Sequence, residues 1–345
     1  MASRSSGRSP AWSRLSDEEL LQLRFCDLGL SQVRRAPLKR AIRRLYAELD
    51  ARGIAFKPHV WISEEWFSPD GVPGIAIPFY LAHPRLERLE RRMTREVEGG
   101  NSKWLMRILR HEAGHALDTA YRLRRRRRWR DVFGPASLPY PDRYRARPGS
   151  RRYVHHLGGW YAQAHPTEDF AETFAVWLTP RSAWRRHYAG WPALHKIEVV
   201  DELLAEVRGT PPKVRARTRI EPASTNTMTL AEHYRRRLAQ RVRWRRSASD
   251  DLLKRVFTER RPPRHALRAS AMLRAGKSRL VATLVRDLGV ERYSVYQILR
   301  MAIERSEKLG LYVRGSRRDA LRNARWLLAR LLRLYRQAES PQLTL

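Results

Sequence analysis

His111-Glu112-Ala113-Gly114-His115 sets two imidazoles four residues apart, with a carboxylate beside the first. On a helix these histidines lie one turn apart on one face, so both can ligate a single Zn²⁺ while Glu112 faces the water that the metal activates. A catalytic zinc takes three protein ligands and leaves a fourth position for water. The extension that would supply a third His six residues after the second is absent: that position is Tyr121, and the expected glycine is Asp118. The third ligand must therefore come from further along. Glu168-Asp169-Phe170-Ala171-Glu172 offers carboxylates at helical i and i+4 spacing. We expect Glu168 as the third ligand, with Asp169 open as the alternative, and Glu172 holding a ligand His from behind. Asp118, three residues after His115, is a second candidate for orienting an imidazole, or else an ion-pair partner for a nearby Arg. The plainer reading is two surface His on an ordinary helix, and acids in a first turn after Pro166 where the helix dipole favours them.

These groups need elements to hold them. Residues 101–121 (NSKWLMRILRHEAGHALDTAY) have helical apolar spacing leading into the two histidines, and FAETFAVWL before Pro180, just after Glu168 and Asp169, predicts a second, apolar helix carrying Glu172. Upstream, Ser16-Asp17-Glu18-Glu19 has the spacing of a capping box, and residues 36–52 repeat apolar positions at Leu38, Ile42, Leu45 and Leu49. From Ile54 the texture turns β-branched and aromatic. Strands are expected at 59–63 and 75–81, and Pro78 argues for a sheet edge able to pair with an extended chain. Residues 122–152 read as a long basic connection containing five consecutive arginines, Arg124 to Arg128. These form either a solvated face or a lining of the cleft that favours acidic substrates or nucleic acid.

His111-Glu112-x-x-His115 followed by Glu168-x-x-x-Glu172 resembles a gluzincin, in which Glu completes the zinc site. More closely, DLGL at 27–30, WISEEWFSPDGVPGIAIPFYLAHPRL at 61–86, RHEAGHALD at 110–118 and WYAQAHPTEDFAETFAVWL at 160–178 resemble the bacterial zinc-binding metallopeptidases, over roughly residues 18–200. The interval from Tyr161 to Glu168 is also similar to that in the catalytic domain of anthrax lethal factor, where a Tyr seven residues before the ligand Glu stabilises the oxyanion. The resemblance implies a zincin-type fold, one zinc per chain, and hydrolysis of a peptide or protein substrate. Tyr161 would be the oxyanion donor, with His165 as the lesser candidate. His155 and His156 are adjacent, so at most one would point into a cleft, and neither is expected to bind metal.

With 345 residues and 42% apolar content, the chain can bury proper cores. Cys26 is the only cysteine, which excludes an intramolecular disulfide and a Cys-based zinc cluster. No stretch approaches a membrane span and the N-terminus has no apolar leader, so a cytoplasmic location is expected. The net charge of +35 comes from 70 basic and 35 acidic residues and predicts attraction to polyanions, nucleic acid or an acidic protein surface, through the Arg-rich segments. An Arg skew of this kind can also be purely compositional. The fold class expected is α+β: a zincin-like domain with a small sheet and an active-site helix, then a mostly helical basic region. The boundaries are a disordered basic N-terminus at 1–15, the metallopeptidase domain at 16–210, a linker at 211–228 and the helical region at 229–345. In that last region, residues 281–300 form two apolar-patterned helices about Gly289, a weak helix-turn-helix signal with Leu284, Leu288, Val295 and Ile298 as core contacts. Residues 317–337 predict a final helix with one apolar stripe that includes Trp326, and a basic back. The alternative function class is therefore a nucleic-acid-associated protein whose helical half binds DNA or RNA, the zinc serving a localised or structural role.

Overall fold

The computed structural model describes residues 10–337, apart from 95, 142–143, 145–146, 148–149, 262–266 and 291. The chain forms two compact units that divide between His233 and Tyr234. Part of the stretch expected to be disordered, residues 1–9, lies outside the described residues. Ala11–Arg14 is instead a 3₁₀ turn, because Trp12 is buried and its Nε1 donates to Leu28 O at 3.1 Å. The capping box is present: Ser16 Oγ accepts from Glu19 N and Glu19 Oε2 from Ser16 N, starting α1 (Asp17–Gln22). Helix α2 (Ala36–Asp50) buries Leu38, Ile42, Leu45 and Leu49, the stripe its spacing predicts.

The sheet is small: β1 (His59–Ser63) runs parallel to β2 (Gly74–Pro78), with His59 opposite Gly74 and Ser63 opposite Pro78. The second strand stops at Pro78 rather than Leu81, since proline has no N–H for the ladder, and Phe79–Leu81 continue as a buried 3₁₀ turn. The edge expected to stay open is covered by the chain itself. Ala76 N donates to Phe67 O at 2.8 Å on one side of the pair, and Ala223 N to Ile62 O at 2.9 Å on the other. Residues 211–228, expected as a linker, thus lie against this unit; Trp61 Nε1 and Ser63 Oγ donate to Ile220 O and Glu221 O.

Helices α3 (Pro84–Thr94) and α4 (Ser102–Tyr121) follow, α4 packing on α2 and β2. The connection after α4 is more ordered than its charge suggests. A 3₁₀ turn at Leu123–Arg125 and α5 (Arg127–Phe133) form there because Leu123, Trp129 and Phe133 are buried. Helix α6 (Pro166–Leu178) lies against α4 on one side and α8 (Pro192–Ala205) on another, with the short α7 (Trp184–His187) between α6 and α8 in the chain.

The second unit is helical: α9 (Leu230–Val256) from Tyr234 onward, α10 (Ala269–Ala275), α11 (Lys277–Leu288), α12 (Arg292–Lys308) and α13 (Arg317–Gln337). Its core joins Leu253, Phe257, Leu273, Leu284, Val295, Leu299 and Leu328. The fold class is thus α+β, with a mostly helical second unit. Among the described residues, no helix is long and apolar enough to cross a membrane.

Candidate metal centre

Helix α4 starts at Asn101, whose side chain accepts from Trp104 N at 2.9 Å, and runs unbroken through both histidines. The rings of His111 and His115 meet edge-on with centroids 4.9 Å apart, the one-turn neighbourhood their spacing dictates. Helix α6 starts at His165, whose Nδ1 accepts from Thr167 N at 3.2 Å, with Pro166 at the first helical position. This start turns Glu168 toward α4, whereas Asp169 forms a buried ion pair with Lys196 of α8. Gly114 allows the two helices to meet. A Cβ built there would lie 2.9 Å from Ala171 Cα and 3.1 Å from Phe174 Cδ1, closer than a methyl group fits.

Three donor atoms converge as a result. His111 Nε2 lies 3.2 Å from His115 Nε2 and 3.1 Å from Glu168 Oε2, and His115 Nε2 lies 3.3 Å from Glu168 Oε2. A tetrahedral zinc with bonds of about 2.0–2.1 Å holds its donors roughly 3.3–3.4 Å apart, so the cluster has the edge lengths such an ion requires. Two imidazole nitrogens and one carboxylate oxygen are also a donor set that suits zinc. Behind the cluster, His111 Nδ1 lies 3.0 Å from Glu172 Oε1, and Glu172 Oε2 accepts from Leu157 N at 2.8 Å. Burial alone would lower the His111 imidazole, yet the hydrogen bonds with Glu168 and Glu172 raise it to about 10. The same two carboxylates favour any cation held at Nε2. Burial acts against ionised Glu168 and Glu172, but the neighbouring imidazoles hold both below the usual carboxylate range.

Glu112 is buried beside the cluster, and burial pushes its carboxyl up against the pull of His111 and His115. Ser68, from the loop after β1, donates to Glu112 O at 3.0 Å. Tyr161 sits in the 3₁₀ turn Gly158–Gln163 with its ring 5.6 Å from that of His111. Its hydroxyl is held well above the ordinary phenol value by burial and by the charges of Glu168 and Glu112.

Two expected site residues are engaged elsewhere. His165, the lesser oxyanion candidate, has both ring nitrogens in use, since Nε2 also donates to Leu138 O at 2.8 Å. Asp118 accepts from Arg124 at both oxygens, from N at 2.7 Å and from Nε at 2.6 Å, so its partner is the arginine and not His115. Arg124 reaches on to Asp70 at 2.7 Å, joining the loop between the strands to the end of α4. Within the arginine run, Arg125, Arg127 and Arg128 are exposed, as a solvated face would have them, while Arg124 is half-buried between its two acids. Arg126 and Arg128 pair with Glu206 and Glu202 of the segment at and just after α8. His155 is exposed and His156 donates to Arg107 O, both outside the cluster.

Sequence reasoning missed Tyr140. Its hydroxyl lies 2.5 Å from Thr167 Oγ1 and donates to Glu168 Oε1 at 3.0 Å, while its ring stacks on His165 at 3.9 Å. No spacing rule links a loop tyrosine to a carboxylate 28 residues later. Tyr144 also approaches, its ring 6.3 Å from that of Tyr161, and burial with the charges of Glu172 and Glu168 pushes it up to about 12.

The helix pair thus brings together a two-histidine, one-carboxylate cluster whose geometry could hold a metal ion. Residues 85–194, which carry the whole cluster, match the model of the family described as "Putative zinc-binding metallo-peptidase". No curated protein and no solved structure gave a match.

Proposed function

We propose that the chain is a zinc-dependent metallopeptidase, of gluzincin type, that hydrolyses peptide bonds. The observation that carries this reading is the convergence of His111 Nε2, His115 Nε2 and Glu168 Oε2 beside the buried Glu112, within a segment that matches a zinc-binding metallopeptidase family. His111, His115 and Glu168 would hold one zinc, which when bound supplies a Lewis acid for the carbonyl and a lowered pKa for the attacking water. Glu112 is the general base. Its raised proton affinity suits it to take the proton of the attacking water and deliver it to the leaving amine. Tyr161 stays protonated at neutral pH and donates to the oxygen on which charge develops. Glu172 keeps His111 Nδ1–H engaged, so that Nε2 presents its lone pair. The single cysteine fits a cytoplasmic setting.

Metal content of the purified protein, together with turnover of a peptide library, tests this. Wild type and Glu112→Gln should each carry one zinc per chain, His115→Ala none, and only wild type should cleave. Wild type that takes up no zinc after reconstitution refutes the metal site. Zinc retained with no turnover on any peptide refutes the peptidase and leaves a structural metal.

A further inference from the structure

The charge is unevenly shared. Residues 234–340 hold 29 Lys and Arg against nine Asp and Glu, so a unit with under a third of the chain carries +20 of the net +35. In the first unit many arginines are matched by acids, as Arg110 is by Glu48 and Arg124 by Asp118 and Asp70. Helix α13 differs. Its apolar stripe, Leu327, Leu328, Leu331 and Leu332, is buried in its own unit. Trp326 is not part of that stripe, contrary to the expectation from sequence. It is 53% exposed, on the opposite face, because Arg322, Trp326, Arg330 and Arg333 follow at spacings of four, four and three. Arg322 is paired with Asp319, but Arg330 and Arg333 have no ion pair among the described residues.

We infer that this face of α13 binds single-stranded nucleic acid, with bases stacking on the Trp326 indole and phosphates meeting Arg322, Arg330 and Arg333. An indole exposed to water on a charged helix is the platform on which any base can stack, and guanidiniums one turn away on either side are placed for the flanking phosphates. An acidic protein surface would satisfy the arginines and leave the indole without a role. The inference does not depend on the metallopeptidase reading, since it uses neither the zinc site nor its unit.

Full-length protein would be titrated into fluorescein-labelled oligo(dT) and oligo(A) of about 20 nucleotides at several salt concentrations, with labelled poly-glutamate alongside. Trp326→Ala should weaken oligonucleotide binding at least about fivefold, since one base stack is lost, and Trp326→Phe should retain most of it. The triple variant Arg322→Ala, Arg330→Ala, Arg333→Ala should weaken binding further and reduce the slope of affinity against salt. Poly-glutamate binding should not respond to Trp326→Ala. Oligonucleotide affinity that falls in the arginine variant but is unchanged in Trp326→Ala overturns the stacking site. Poly-glutamate binding that is as tight as oligonucleotide binding assigns the face to an acidic partner, and unchanged oligonucleotide affinity in both variants removes α13 from binding altogether. Because all four side chains are on the exposed face, circular dichroism should show the variants folded.

Discussion

Replacing Gly114 by Ala tests whether the approach of α4 to α6 builds the metal centre. On an ordinary helix surface this change stabilises by about 0.8–1.0 kcal/mol, because alanine is the better helix former. Here the new Cβ would sit 2.9 Å from Ala171 Cα, and an ordinary contact needs at least 3.4 Å. Helix α6 must therefore retreat by about 0.5 Å or more, a strain of overpacking worth roughly 1–3 kcal/mol, which outweighs the helix gain. Glu168 stands one turn before Ala171 on α6, so the retreat carries Oε2 away from two nitrogens now 3.1 and 3.3 Å distant. Net of the helix gain this leaves up to about 2 kcal/mol of destabilisation, so the expected result is a metal-free Tm lower by up to about 8 °C. Zinc affinity should fall by about ten- to a hundredfold, comparable to the loss of an outer partner of a ligand. Thermal melting followed by circular dichroism reads the first, and competition for zinc against a chelating dye reads the second. A Tm at or above wild type with undiminished zinc affinity would refute the argument that this glycine sets the helix distance.

Neighbouring carboxylates on α6 should separate by effect. Glu168→Ala should lose its zinc, whereas Asp169→Ala should keep it but be less stable to urea by about 3 kcal/mol, because the half-buried Lys196 is left without its partner; zinc retained equally by both would show that Glu168 is not the third ligand. Tyr140→Phe removes the hydroxyl that donates to Glu168 Oε1, so zinc affinity measured by dye competition should drop about tenfold with little change in Tm, and an unaltered affinity would mean the contact does no positioning. Buried His156 is held down to about 4 by desolvation, so the unfolded chain takes up this proton at a higher pH than the folded one. Its neutral form thus favours folding above an unfolded value near 6.5, and about 3 kcal/mol of that is lost as pH falls to 4. Urea unfolding of the metal-free protein at pH 7.5 and pH 4.5 should show a smaller acid loss in His156→Gln than in wild type, and identical losses would contradict the assignment.

Much of the site was legible from local spacing. Two histidines four apart on a helix share a face wherever the helix lies, a Ser-x-x-Glu box starts a helix by its own hydrogen bonds, and the stripes of α2 and of the Gly289 helix pair follow from periodicity. Proline at 78 ends its strand for a reason carried in its own ring, although the expected strand ran on to Leu81. What periodicity does not encode is which turn of one helix meets which turn of another. The choice of Glu168 over Asp169 rests on contacts 53 residues apart, made possible by a glycine whose neighbour is Ala171. Arg124 looked like one of five equal charges until the fold brought Asp118 and Asp70 to it, and Tyr140 reached the carboxylate from a loop with no repeating pattern. Trp326 went the other way. Its apolar type placed it with the leucines in the sequence, but the phase of α13 against its own core left it outside among arginines. Sequence alone determined the start of α1, the shared face of the two histidines and the stripe of α2, because those depend on neighbours within one turn; tertiary structure decided the partners, the phase of α13 and the helix inside the basic connection, because those depend on how the faces pack.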